Sequence, residues 1–140
     1  MTTTELTTFQ SQFYSEERPK VTLVIGPRER FSYTQACLES IYQNTHYPFD
    51  LVFVDVCSPK PVARYINRKA EEQSFKVIRT DRYISPNQAR NVGLRHVLHQ
   101  GDSQYVVFVE NDVIVKEGWL SKLVNCAEET GAAVVGPLTC

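Results

Sequence analysis

Short apolar runs alternate with amphipathic segments from residue 21 onwards, and this alternation restricts the possible folds more than any other feature of the sequence. Between the runs lie segments whose apolar residues have helical spacing. The alternation predicts an α/β fold, in which a mostly parallel sheet is covered by helices on both faces to give three layers. The apolar runs are residues 21–25, 51–56, 75–78, 105–109 and 132–135, and the helical segments begin near Ser32, Val62, Ser85 and Trp119.

The predicted strands are continuously apolar rather than alternating, which is typical of strands buried on both faces. We therefore expect residues 106–109 to form a central strand. In a parallel α/β sheet, ligands bind at the carboxyl ends of the strands. Four stretches follow or end such runs, so we expect them on one side of the sheet: Gly26-Pro27, Asp55, the loop from Arg79 to Ser85, and Glu110-Asn111-Asp112.

Two of the predicted helices begin with capping residues. Ser32 followed by Gln35 matches a capping box. Ser85-Pro86-Asn87-Gln88 places a serine at the N-cap, a proline at the first helical position and a glutamine at the third. Both stretches predict a helix that starts at a defined residue.

Length, composition and net charge limit the classes of protein to which the chain can belong. The 140 residues, 42% of them hydrophobic, suffice for one compact domain, and a net charge of -1 gives no electrostatic footprint for nucleic acid. Residues 1–20 have neither a basic start nor an apolar core, so they predict a flexible N-terminal tail before a domain spanning residues 21–140. No apolar run is long enough to span a bilayer. The four cysteines lack metal-ligand spacing and predict reduced thiols in the cytoplasm.

Glu110 and Asp112 allow two interpretations. Two carboxylates one residue apart at the end of a buried strand can share a Mg²⁺ or Mn²⁺ ion with substrate phosphates. The alternative is a solvated turn in which Asn111 takes a left-handed conformation. Spacing alone does not separate the two, whereas the position after an apolar strand favours the metal.

Asp55, Arg90 and Asn91 also have structural alternatives. Asp55 can accept hydrogen bonds from a ribose or a base, or it can cap the loop that follows it. Arg90 and Asn91 lie in the first turns of a helix whose start faces the expected ligand side, where an arginine can bind a diphosphate or a base carbonyl. Taken alone, Arg90 is a surface residue.

Several common nucleotide-binding and hydrolase motifs are missing. No GxGxxG follows the first strand, and neither GxxxxGK[ST] nor GxSxG occurs in the sequence. A signalling receiver domain also places acids at strand ends. In this chain, however, Gly26-Pro27 stands where a receiver needs its acid pair, and Gly136-Pro137 stands where it needs a lysine.

Four ordered pieces of the sequence carry a family resemblance: VTLVIGPRERFSYTQACLESI, LVFVDVCS, SPNQARNVGLRHV and YVVFVENDVIVKEGWL. Together they resemble the N-terminal, nucleotide-sugar-binding half of a GT-A fold, Rossmann-like glycosyltransferase of family 2, over nearly the whole chain after the tail. The family's usual Asp-x-Asp motif is here Glu110-Asn111-Asp112. Glu110 lengthens that first arm by one methylene, and Cys57 replaces a residue that is often small or an amide.

The resemblance implies an inverting, metal-dependent transfer from a nucleotide-sugar, most often a UDP-sugar, to a glycan, lipid or protein acceptor. In that comparison Gly26 and Pro27 line the nucleoside pocket, and Asp55 contacts the base or ribose. Arg90 and Asn91 lie at the base or diphosphate. Asp112 is the principal ligand of a Mn²⁺ or Mg²⁺ ion. Glu110 and Asn111 lie near the sugar, with Glu110 also close to the metal.

The acceptor-binding half of such enzymes follows the last predicted strand, and no carboxylate occurs after Glu129 to act as the catalytic base. The sequence therefore predicts a truncated chain or natural fragment that keeps the donor half. Its open sheet edge is expected to favour a homo-oligomer. The alternative is a non-catalytic domain of the same fold that binds a nucleotide-sugar or mediates an interaction.

Overall fold

The computed structural model of the protein describes residues 18–27 and 30–138. Within these residues, four strands and four α-helices alternate, with a 3₁₀ turn at Phe31–Tyr33 before the first helix. The strands are β1 (Val21–Gly26), β2 (Asp50–Val56), β3 (Lys76–Thr80) and β4 (Tyr105–Glu110), and the helices are α1 (Thr34–Asn44), α2 (Lys60–Gln73), α3 (Pro86–Gln100) and α4 (Trp119–Thr130).

All strand pairs in the sheet are parallel, and the strand order is β3-β2-β1-β4. The chain adds β2 and β3 on one side of β1 and then crosses to the other side to add β4. The carboxyl ends of β1 and β4 therefore flank the topological switch point, where open α/β sheets bind their ligands.

Helices cover both faces of the sheet, which confirms the predicted three-layer α/β class. Residues of α1, α2 and α4 pack with one face of the sheet in the larger apolar cluster, and α3 packs on the opposite face. Burial of each large aliphatic or aromatic side chain in these clusters contributes about 2 kcal/mol. The fully buried examples include Leu23, Ile25, Leu38, Ile41, Phe53 and Ile66.

Hydrogen bonds hold the residues just before β1 against the sheet. Residues 1–17 of the predicted tail lie outside the described residues. Pro19 and Lys20, by contrast, are tied to the domain: the Tyr47 hydroxyl donates to the Pro19 carbonyl at 2.6 Å, and the Gln104 and Tyr105 N–H groups donate to the Lys20 carbonyl. These bonds secure the chain just before β1.

Two expectations about the sheet are wrong. Residues 132–135 form no strand: they lie outside the sheet, and Val134 is 89% exposed. Their β-branched composition favours a strand, but the pairing that a strand needs is absent within the described part of the chain.

Residues 106–109 belong to an edge strand rather than a central one, because β4 pairs only with β1 among the described strands. Phe108 is 46% exposed as a result. Self-association through this edge stays a prediction.

One of the two predicted capping boxes forms. At α3, the Ser85 side chain accepts a hydrogen bond from the Gln88 N–H at 3.2 Å, and the Gln88 side chain accepts one from the Ser85 N–H at 2.8 Å. At α1, the 3₁₀ turn moves the N-cap to Tyr33, and no side chain caps the helix. The prediction for Ser32 is therefore wrong, because the tighter turn satisfies the first backbone groups differently.

We expect Ser85→Ala to lower the free energy of unfolding by about 1 kcal/mol, because the N–H groups at the start of α3 lose an acceptor. Ser32→Ala is the matched control, and it should change the unfolding free energy by less than about 0.5 kcal/mol. Urea denaturation followed by circular dichroism measures both. Equal losses for the two variants would contradict the assignment.

Candidate functional site

The candidate site lies at the switch point between β1 and β4. Gly26 and Glu110 are the last paired residues of these strands and lie side by side in the parallel register. The Asn111 N–H donates to the Gly26 carbonyl at 3.2 Å, which continues the pairing one step past β4. The structure thus brings the end of the first apolar run, next to Pro27, beside the acidic stretch, as the sequence predicted.

Arg90 and Glu110 form an ion pair across this point. Arg90 lies in the second turn of α3, where the capped helix start holds it, and its Nη2 lies 3.0 Å from Glu110 Oε1. Its Nη1 donates to Asn87 Oδ1 at 2.7 Å. The two side chains are 35% and 31% exposed, so both remain partly accessible to a ligand. The neighbouring Asn91 is exposed on the same helix.

Asn111 is buried between the two carboxylates of the acidic stretch. It is 0% exposed, and its Nδ2 donates to Thr34 Oγ1 at 3.1 Å and to the Arg30 carbonyl at 3.5 Å. This places the Asn111 amide against the start of α1. Glu110 and Asp112 on either side are only partly buried. Asn111 therefore anchors the turn that presents the two carboxylates, and its predicted contact with the sugar stays a prediction.

The Cys37 thiol contacts the backbone of the acidic stretch. It is buried in α1, and its Sγ donates to the Glu110 carbonyl at 3.5 Å. Burial raises the pKa of the Cys37 thiol to about 12, with a smaller raising effect from the charge of Asp112 and a lowering effect from the Val113 backbone. The thiol therefore stays neutral at physiological pH and acts as a hydrogen-bond donor.

Asp55 lies near the carboxyl end of β2, the strand next to β1, and therefore two strands from Glu110 on β4. It is 1% exposed. Its Oδ1 accepts the Ser58 N–H at 3.1 Å, and its Oδ2 accepts a hydrogen bond from Arg79 Nη1 at 2.5 Å. Of the two roles that the sequence left open for Asp55, the structure shows the loop-capping one. Contact with a nucleoside stays a prediction.

Arg79 is the partner of Asp55 here; the sequence placed the loop from Arg79 to Ser85 on the ligand side of the sheet but gave Arg79 no role of its own. Arg79 is the Cα partner of Asp55 in the β2–β3 register, and its Nη2 also donates to the Ser58 carbonyl at 3.4 Å. A signal was available: Arg79 is a charged residue near the end of a short apolar strand, as Asp55 is. The sequence did not show that β2 and β3 are adjacent and in this register.

The residues at the switch point suit a metal site in which the protein supplies only some of the ligands and the substrate and water supply the rest. Within residues 18–27 and 30–138, no group of three or more His, Cys, Asp or Glu side chains is placed to hold a metal ion. Mg²⁺ and Mn²⁺ commonly take only one or two protein carboxylates and complete their coordination with substrate phosphates and water. Asp112 fits that arrangement. Glu110 fits it only by sharing its carboxylate with Arg90.

The sequence matches one protein family. The family described as Glycosyl transferase family 2 matches residues 23–139. A comparison with curated proteins finds no significant match. No helix in the described part of the chain is long and apolar enough to cross a membrane.

Solved structures share the fold. Residues 1–349 of S. aureus TarS in complex with UDP superpose with a TM-score of 0.66 at 22% identity, over 80% of this chain and 33% of that one. GalNAc-T7 with UDP, GalNAc and Mn²⁺ gives 0.67 at 21% identity, over 84% and 22%. The mannosyltransferase PcManGT from Pyrobaculum calidifontis, in complex with GDP-Man and Mn²⁺, gives 0.65 at 20% identity, over 94% and 41%. The chain thus spans 33% of the TarS fragment, about a third of its length.

Proposed function

The chain belongs to glycosyl transferase family 2, and from this premise we propose that it binds a nucleotide-sugar donor, most often a UDP-sugar, at the switch point between β1 and β4. The observation that carries the proposal is the Arg90–Glu110 pair beside Asp112 at the carboxyl ends of these strands. It combines a cation for phosphate with carboxylates for a metal at the place where the fold binds ligands. The protein transfers the sugar to a glycan, lipid or protein acceptor.

The chemistry of the site and the ligands of structures with the same fold support this donor class. Structures of the same fold were solved with UDP or GDP-Man, two of them also with Mn²⁺. A nucleoside diphosphate presents two adjacent anionic groups, which need a cation on the protein and a second positive charge from a metal. Arg90 supplies the first, and Asp112 offers a ligand for the second.

Each predicted residue has a place in this proposal. Arg90, with Asn91 beside it, contacts the diphosphate, and the backbone at Gly26 and Pro27 lines the nucleoside side. Asp112 holds the divalent metal together with the phosphates, and Glu110 either shares the metal or orients Arg90. Asn111 and Asp55 support the turns that present these groups through their buried hydrogen bonds.

The metal, Mn²⁺ or Mg²⁺, supplies one chemical contribution: it offsets the negative charge that builds on the departing diphosphate. Arg90 adds a fixed positive charge on the same side of the leaving group. The residues of the chain bind and orient the donor, so that its anomeric carbon faces the acceptor.

The reaction is proposed to invert the anomeric centre. The acceptor oxygen forms a bond to the anomeric carbon while the bond from that carbon to the diphosphate oxygen breaks. The electron pair leaves with the nucleoside diphosphate, and the acceptor proton passes to a carboxylate base. In this step the residues named above bind and orient the donor.

We expect Asp112→Asn to weaken UDP binding at least tenfold in the presence of Mn²⁺, because the metal loses a charged ligand while the shape of the side chain is kept. Isothermal titration calorimetry of UDP and GDP, with and without MnCl₂, measures the change. Glu117→Gln is the matched control, because Glu117 is an exposed carboxylate paired with His46, and it should leave the affinity unchanged.

Two results would contradict parts of this proposal. If the wild-type protein binds no nucleotide under any metal condition, the donor site is wrong. If Asp112→Asn binds UDP as tightly as wild type with Mn²⁺, the metal assignment is wrong.

A second candidate function is a non-catalytic domain that binds a nucleotide-sugar. The observation that favours it is that Glu110, the first carboxylate of the acidic stretch, is already paired with Arg90. Turnover separates the two candidates. Release of free sugar or a glycosylated product from UDP-sugars with Mn²⁺ supports the transferase, and tight donor binding without any product supports the binding domain.

A further inference from the structure

Helix α1 holds both ends of the short segment that follows β4. At the first end, Asn111 Nδ2 donates to Thr34 Oγ1 at 3.1 Å. At the second end, the Val115 N–H donates to Ser40 Oγ at 3.1 Å, and Asn44 Nδ2 donates to the Val115 carbonyl at 3.0 Å. Each bond joins residues more than 70 positions apart, so the segment is fixed by the tertiary structure and not by its own sequence.

The residues between these two ends include the carboxylate proposed to bind the metal. Asp112 is partly buried, and Val113 and Ile114 after it are exposed. By contrast, the two hydroxyl-bearing side chains of α1 that hold the ends are buried: Thr34 is 1% exposed and Ser40 is 6% exposed. An accessible carboxylate therefore lies on a segment whose backbone is fixed on both sides.

The buried hydroxyls of α1 lie on a helix that is otherwise apolar where it meets the core. Leu38 and Ile41 of the same helix are 0% exposed. A buried hydroxyl is costly unless it is hydrogen-bonded, and Thr34 and Ser40 meet this requirement with groups of the segment after β4. The Ser40 hydroxyl also donates to the Cys37 carbonyl at 2.8 Å, which fixes its orientation.

We infer that Thr34 is a positioning residue for the metal ligand Asp112: its hydroxyl holds Asn111, and this contact sets where the next carboxylate meets the metal and the diphosphate. Ser40 supports the same carboxylate from the other end of the segment. Residues that orient a ligating side chain contribute strongly to metal affinity without touching the metal. The inference rests on the proposed function, since it needs a nucleotide and a divalent metal at the switch point.

The competing explanation is that the Thr34 hydroxyl contributes only to the stability of the fold. Helix α1 provides an internal comparison, because Thr45 at its end accepts a hydrogen bond from Trp119 Nε1 at 2.8 Å. Both threonines thus accept an N–H from a side chain that follows β4. Of the two, Thr34 holds the neighbour of Asp112, whereas Thr45 holds the start of α4.

The test is calorimetry of UDP with and without MnCl₂, in which the ratio of the two dissociation constants gives the enhancement of binding by the metal. Thr34→Val keeps the branched side chain and removes the acceptor. We expect it to lower the enhancement about tenfold and to leave UDP affinity without metal within about twofold of wild type. Thr34→Ser keeps the hydroxyl and should restore the enhancement to within about twofold.

Thr45→Val is the matched control, since it makes the same chemical change at a comparable hydrogen bond. It should lower the melting temperature as Thr34→Val does and keep the wild-type enhancement. Equal losses of enhancement for the two valine variants, an unchanged enhancement in Thr34→Val, or a failure of Thr34→Ser to restore it each overturn the inference and leave the proposed function standing.

Failure of the proposed function gives a different result. A wild-type protein that binds no UDP overturns the donor site, and one that binds UDP equally with and without MnCl₂ overturns the metal assignment. The inference falls with either. If thermal melting shows Thr34→Val to be unfolded, Ser40→Ala is titrated in its place. The same fall in enhancement is expected, and an unchanged enhancement overturns the inference.

Discussion

Gly93→Ala is expected to lower the free energy of unfolding by about 3 kcal/mol, although alanine is the better helix former. A Cβ at Gly93 would lie 2.3 Å from Val24 Cγ1 and 3.3 Å from Val54 Cγ2. Helix propensity alone predicts a gain of about 1 kcal/mol. The overlap outweighs this gain, because Val24 and Val54 lie in the packed face of the sheet and neither can move away without opening a void.

Urea denaturation at constant pH measures this loss, and Gly136→Ala is the matched control. Nothing lies within 4 Å of a Cβ at Gly136, so its unfolding free energy should change by less than about 0.5 kcal/mol. Adding Val24→Ala to Gly93→Ala makes room for the new methyl group and should cost less than the sum of the two single changes. A Gly93→Ala variant as stable as wild type would show that α3 does not pack this closely on β1.

The same substitution should also affect the proposed donor site. Arg90 lies one turn before Gly93 on α3, and a shift of this helix away from the sheet separates Arg90 from Glu110 on β4. The close approach at Gly93 therefore has a functional consequence, because it sets the distance across the switch point.

Arg79→Met is expected to lower the free energy of unfolding by about 2 kcal/mol. The substitution leaves the Asp55 carboxylate buried without its cation, and an uncompensated buried charge is costly. The expected loss lies below the range for a fully buried pair because Arg79 is 50% exposed, so water takes over part of its role.

A double-mutant cycle separates the ion pair from the loss of packing. Asp55→Asn/Arg79→Met removes both charges, so it should be more stable than the sum of the single losses predicts. Arg68→Met is the control for deleting an exposed arginine and should change the unfolding free energy by less than about 0.5 kcal/mol. Strict additivity in the Asp55–Arg79 cycle would contradict a direct interaction.

The sequence predicted the secondary-structure elements better than it predicted which elements lie next to each other in the fold. The four strands described in the structure, and the helix that begins after Ser85, follow from apolar runs and local hydrogen bonds within a few residues. Local signals failed at Ser32, where a 3₁₀ turn replaces the capping box. They also failed at residues 132–135, where β-branched residues have no strand to pair with in the described part of the chain.

The candidate site shows the same difference: its residues could be recognised from local sequence, but the contacts between them could not. The sequence singled out the acidic stretch and Arg90 separately, since each follows a recognisable element, and it also drew attention to Asp55. It did not show that Arg90 pairs with Glu110, or that Asn111 is buried against Thr34. These contacts join residues 20 and 77 positions apart, so they depend on the order and register of the strands.

The sequence by itself determined the alternation of strands and helices, and with it the α/β class, because these follow from apolar spacing. The family follows separately, from the four ordered pieces of sequence that resemble it and from the family match. Only the tertiary structure decided that β4 crosses to the far side of β1, that Asp55 is held by Arg79, and that α3 packs on β1 through Gly93. The physical reason is that strand pairing and close packing join residues far apart in the chain, so no local pattern of side chains records them.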